Sequence, residues 1–137
     1  MRATVAVFYA FSVVASGCAS TRTDLVASGA VVVKIEAAAG VRITTSVLDE
    51  GSGHTAVSGS VESPRGNAVG SHVDVVLMDR SGAVMEEVRI EVTHAGHRGR
   101  FGPEQGIFES TLTKVLPQNA VIVIRHHAQE HGPERGR

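Results

Sequence analysis

Tryptophan is absent from this chain, tyrosine and cysteine occur once each, and aromatic residues make up only 4% of the 137 positions. Each shortage excludes something. Three of the aromatics, Phe8, Tyr9 and Phe11, lie in the first eleven residues, so everything beyond them carries only Phe101 and Phe108. That argues against a sugar-binding surface or an aromatic cage, which stack rings on their ligands, and against a domain built on a core tryptophan and a corner tyrosine. With one cysteine, no disulfide forms within the chain, and stability must come from packing. The formal net charge is −1, so no global field draws the protein to nucleic acid or to anionic lipid. Glycine-rich phosphate loops, nucleophile-elbow patterns and convincing helices are also missing, and the predicted chain is not an enzyme.

What is present begins at the N-terminus. Arg2 gives a positive start, Ala3 to Val14 is apolar apart from Thr4 and Ser12, and the small residues Ala15, Ser16 and Gly17 precede Cys18. This is the charged, apolar, small-residue order of a secretory signal, too short to span a bilayer. The small residues let a peptidase approach extended backbone. A cysteine directly after such a site resembles the lipobox of bacterial lipoproteins, with Ala15 where leucine is more usual. The resemblance implies cleavage between Gly17 and Cys18, acylation of the Cys18 thiol, and a membrane held through an N-terminal lipid. Two or more chains are needed for firm anchoring. Ala19 and Ser20, with no aspartate after the cysteine, imply an outer-membrane location facing the periplasm. The alternatives are an ordinary signal cut near Ala19 and a buried N-terminal strand.

The predicted organisation is a signal over residues 1–17, a lipidated cysteine and tether over 18–24, a β-sandwich over 25–128 and a frayed tail over 129–137. From Leu25 onward, short valine- and isoleucine-rich runs alternate with Gly, Pro, Ser and Asp clusters, the pattern of an all-β sandwich. Seven antiparallel strands are predicted, near residues 30–36, 41–48, 55–62, 72–78, 84–92, 107–112 and 120–127. Val73, Val75 and Leu77 face inward on the fourth, with His72, Asp74 and Met78 opposite. Asp79 to Gly82 is a predicted type I turn, leading to a fifth strand that buries Val84, Val88, Ile90 and Val92 and exposes Glu87, Arg89 and Glu91. Glu86, Glu87 and Glu91 read as a charged solvent face. The loop over 94–106 carries His97, Arg98 and Arg100, either a flexible basic loop or a place for an anion.

Val57, Gly59 and Val61, then Gly70, Val73, Val75, Leu77, Asp79, Gly82 and Val84, with Phe108 and Leu112 downstream, resemble the FxLYD-type immunoglobulin-like domains of bacterial envelope proteins. The tyrosine that helps name that family has no counterpart. The resemblance implies a seven-stranded immunoglobulin-like sandwich over about Val57 to Ile124, and no activity.

Seven histidines raise one chemical expectation. His72 and Asp74 share a strand face, and imidazole with carboxylate suits copper or zinc. His126 and His127 are the candidates to complete a site; being adjacent, they point to opposite faces of a strand, so at most one joins. Against this stands the plainer expectation of solvated surface histidines and no cofactor. The sequence thus supports a lipid-anchored envelope protein with a non-enzymatic binding or structural domain, docking an envelope protein or cell-wall component; the alternative is a periplasmic copper- or zinc-binding lipoprotein that uses these surface histidines.

Overall fold

The computed structural model describes residues 22–128 apart from 65, 67 and 96–103. The signal over 1–17, Cys18, the loop residues His97, Arg98, Arg100 and Phe101, and the tail over 129–137 lie outside the described residues. Nine strands run in chain order: β1 Thr23–Asp24, β2 Val31–Glu36, β3 Arg42–Asp49, β4 Thr55–Ser63, β5 His72–Met78, β6 Val84–Glu91, β7 Thr93–His94, β8 Glu104–Leu112 and β9 Ala120–His127. They form two sheets, a five-stranded one in the order β1-β3-β4-β8-β7 and a four-stranded one in the order β2-β9-β5-β6. The described residues contain no helix.

The fold is therefore all-β, with three corrections to the expected strand plan. Among the described residues there are nine strands instead of seven, because the two-residue β1 and β7 add short pairings at opposite edges of the larger sheet. Thr23 and Asp24, expected in an unstructured tether, pair with Asp49 and Leu48. The Asp24 carboxylate also accepts the N–H groups of Val26 and Ala27, which fixes the turn into β2. Lastly, the sandwich is not wholly antiparallel. β2 runs parallel to β9, Val31 opposite Ala120 through Glu36 opposite Arg125, because the chain must cross both sheets before it returns beside its own start.

Alternation along the strands builds the core. Val47, Val57, Val61, Val73, Val75, Leu77, Leu112, Ile122 and Ile124 are fully buried between the sheets, with Phe108 beside them. Phe108 lies across from Gly59 in the β4–β8 ladder. A Cβ on Gly59 would meet Phe108 Cζ at 2.5 Å and the Thr44 carbonyl at 2.2 Å, so glycine here is a packing requirement.

The β5–β6 hairpin turns at Asp79 to Gly82, as expected. Gly82 donates to the Asp79 carbonyl at 3.0 Å and has φ +87°, while Asp79 Oδ1 accepts Ser81 N, Ser81 Oγ and Ala83 N. Leu77 pairs with Glu86 but Met78 with Val84, which leaves Met85 as the extra residue of a β-bulge. The bulge overturns two expectations. Met85 turns toward the core, and Val84, expected inside, is 57% exposed. Glu86 shares the inward parity of Val88 and Ile90, so it belongs to no solvent face. Its carboxylate accepts Thr113 N, Thr113 Oγ1 and Lys114 N at 2.9–3.0 Å, tying β6 to the segment that leaves β8 in the other sheet.

Candidate functional site

The outer face of the four-stranded sheet can be read row by row from the register. One row holds His127 on β9, His72 on β5 and Glu91 on β6. The next holds Glu36 on β2, Arg125 on β9, Asp74 on β5 and Arg89 on β6. In that second row the charges alternate in sign across the sheet. Opposite charges on neighbouring strands stabilise the pairing.

Asp74 is the unusual member, because only 5% of its surface is exposed. A buried carboxylate needs partners. Arg89 supplies two, with Nε 2.9 Å from Oδ1 and Nη2 3.3 Å from Oδ2, the two-pronged geometry that guanidinium and carboxylate share. His127 reaches diagonally across the ladder and places Nε2 2.9 Å from Oδ2. The Arg89 hydrogen bonds hold the Asp74 carboxyl below the usual carboxylate range against the opposing push of burial, and the positive potential of Arg89, His127 and His72 adds to them. Arg89 is correspondingly held above its usual value by Asp74. Arg125 stands directly opposite Asp74 on β9 yet turns the other way, with Nε 2.8 Å from Glu36 Oε2.

His72 packs against His127, ring centroids 4.7 Å apart and planes 19° from parallel. His72, Asp74 and His127 thereby bring one potential ligand atom each to within 4.8 Å of the others. Ligands at about 2.1 Å from a tetrahedral zinc ion lie about 3.4 Å apart, so side-chain rotations of about an ångström close the difference. Two imidazoles and a carboxylate suit zinc or copper. They leave the remaining coordination positions to water. Of the residues expected from sequence, the structure brings these three together.

His126 lies elsewhere, on the inner face. Ser71 Oγ donates to the Ala68 carbonyl, so the 3.0 Å contact between Ser71 Oγ and His126 Nε2 has the ring nitrogen as donor. The proton sits on Nε2, and Nδ1, which has no hydrogen-bond partner, is a bare acceptor. Burial pushes His126 below the usual histidine value, with the nearby His127 and His72 acting in the same direction. Its surroundings thus favour the neutral ring. Met78 is at the far end of β5, about 20 Å from His72 along the strand, and His94 is on β7 of the other sheet.

Arg89 is the residue that sequence reasoning missed, having been read only as exposed beside Glu87 and Glu91. The signal was available in the parity of the hairpin, since Asp74 and Arg89 both face out on adjacent strands. A concavity of about 550 Å³ opens at the other end of β9, lined by Leu25, Val31, Thr55, Leu116 and Asn119 among others, and Asp49 is the one charged group in its lining. No family model matches the chain, and no curated protein or solved structure is significantly similar to it.

Proposed function

We propose that this chain is a non-enzymatic, lipid-anchored cell-envelope protein whose immunoglobulin-like β-sandwich binds a divalent transition-metal ion, copper or zinc, through His72, Asp74 and His127. The observation that carries the metal reading is the convergence of these three ligand atoms within 4.8 Å on one sheet face. The order of residues up to Cys18 supports export, acylation and placement at the outer membrane facing the periplasm. Neither the 550 Å³ concavity nor the smaller one near His126 includes the three ligands. An open sheet face holds and releases an ion; it does not enclose a substrate from water, which supports binding over catalysis.

Thermal unfolding with and without zinc or copper tests the site. At a hundredfold excess of metal over its dissociation constant, the folded state gains about 2.7 kcal/mol. The rise in melting temperature should be present in the native chain and absent in His72→Ala and Asp74→Asn; a native chain whose melting ignores both metals refutes the reading. Mass spectrometry of the mature N-terminus tests the anchor, which Cys18→Ser should abolish along with membrane fractionation.

A second reading, docking of an envelope protein or cell-wall component by strand addition, is favoured by one observation. β2 is an edge strand whose Val32 and Ile35 are 55% and 46% exposed. Crosslinking from position 32 in the native envelope tests it, and recovery of no partner refutes it.

A further inference from the structure

An ion that binds Asp74 must reach a carboxylate that is already occupied. Both Asp74 oxygens are engaged by Arg89, and Oδ2 is shared with His127 Nε2. An ion bound at Oδ2 stands beside the guanidinium with the same sign of charge and repels it. Arg89 and the ion therefore compete for one carboxylate.

Arg89 is well placed to leave. It lies on β6, an edge strand of its sheet, and its side chain is 68% exposed although its partner's is 7% exposed. Glu87 and Glu91 are two residues to either side on the same strand face, and Glu87 already contributes to holding Arg89 in its charged form. The other arginine in the row shows the same behaviour in fixed form, because Arg125, directly across from Asp74, is paired with Glu36 instead. Asp74 thus has a single guanidinium to give up, and that guanidinium has two carboxylates to receive it.

Resting on the metal reading, we propose that Arg89 is a latch on the metal site: it neutralises Asp74 until copper or zinc takes Oδ2, and then withdraws to Glu87 or Glu91. Asp74 is paired with a cation in either arrangement, so the fold does not depend on the ion. The site is built for reversible uptake and release, unlike a structural zinc site whose loss unfolds the chain. The latch also sets affinity, since a site competent only while Arg89 is withdrawn binds more weakly by the fraction of time it is withdrawn.

Zinc and copper titrations of the full chain in detergent, followed by calorimetry, test the latch. Arg89→Met should bind about five- to tenfold more tightly than the native chain, the weight of one partly exposed two-pronged ion pair. Glu87→Gln combined with Glu91→Gln should bind more weakly, because the withdrawn guanidinium loses its acceptors. Arg89→Lys guards against a methionine variant that fails to fold; a lysine cannot engage both carboxylate oxygens together, so its affinity should fall between the two. Folded Arg89 variants with native or weaker affinity overturn the latch and leave the metal reading standing. Absence of zinc and copper binding in the native chain and in every Arg89 variant overturns both.

Discussion

Alanine at Gly59 should be among the most damaging single-methyl additions available to this protein. The added Cβ would lie 2.2 Å from the Thr44 carbonyl and 2.5 and 2.8 Å from Phe108 Cζ and Cε1. Ordinary contacts of this kind are about 3.5–4.0 Å, so both neighbours must retreat by about an ångström or more. Phe108 is 3% exposed and wedged in the core, and the Thr44 carbonyl belongs to the backbone of β3, which is paired with β4 from Arg42–Glu62 to Asp49–Thr55. Neither moves without disturbing a ladder or the core. Overpacking costs about 1–3 kcal/mol where side chains alone adjust, and the backbone clash places this case at the upper end, about 3 kcal/mol. For a domain of this size that lowers the melting temperature by roughly 12 °C or more. Urea denaturation measures the loss directly, and Phe108→Leu in the alanine background separates its two sources. The smaller side chain should recover only part of the loss, because the Thr44 carbonyl is still in the way. A loss below 1 kcal/mol for Gly59→Ala would refute the packing argument, and full recovery in the double variant would assign the whole effect to the ring.

Three further outcomes are expected. Glu86→Gln should cost about 1–2 kcal/mol, because the carboxylate that accepts three donors from Thr113 and Lys114 becomes a neutral amide. Burial works against the Glu86 charge, but those donors outweigh it and hold the group below the usual 4.5. Its stabilisation is therefore complete above that value and lost as pH falls through the lower folded value, so native and variant stabilities measured by denaturation should converge as pH falls below 4.5; a constant gap from neutral pH down through that range refutes the assignment. Leu77→Ala, at a fully buried position facing Ile122 across β5–β9, should cost about 2–5 kcal/mol in the same assay. Val84→Thr should change stability by less than about 0.5 kcal/mol, since the bulge has turned Val84 out to solvent; a core-sized loss would return it to the interior.

The long strands were legible from their runs of valine, isoleucine and leucine. Val73, Val75 and Leu77 recur at the two-residue period of a strand and are all fully buried, and β5 and β9, which also bury Val76 and Val123 on the other face, lie in the middle of their sheet. The short strands were not legible. Thr23–Asp24 and Thr93–His94 are exposed two-residue pairings with no apolar face, held by backbone hydrogen bonds that any side chain permits. Sheet order was also hidden, since the parallel contact of β2 with β9 joins residues about ninety positions apart and leaves no local mark.

The candidate site divides along the same line. Its two-residue spacing on β5 and the opposed directions of His126 and His127 follow from the strand period alone. Arg89 needed register, and register depended on the bulge. With Asp79 N bonded to the Ala83 carbonyl, a hairpin continued without irregularity would set Asp74 opposite Val88, an outward residue against an inward one. Directly opposed residues of two strands share a face, so the two alternations could be reconciled only by one extra residue between the turn and Asp74. The extra residue is Met85, and it shifts the partner of Asp74 from Val88 to Arg89. The same irregularity expels Val84, draws Glu86 toward the other sheet, and gives the buried carboxylate the guanidinium with which a metal ion must compete.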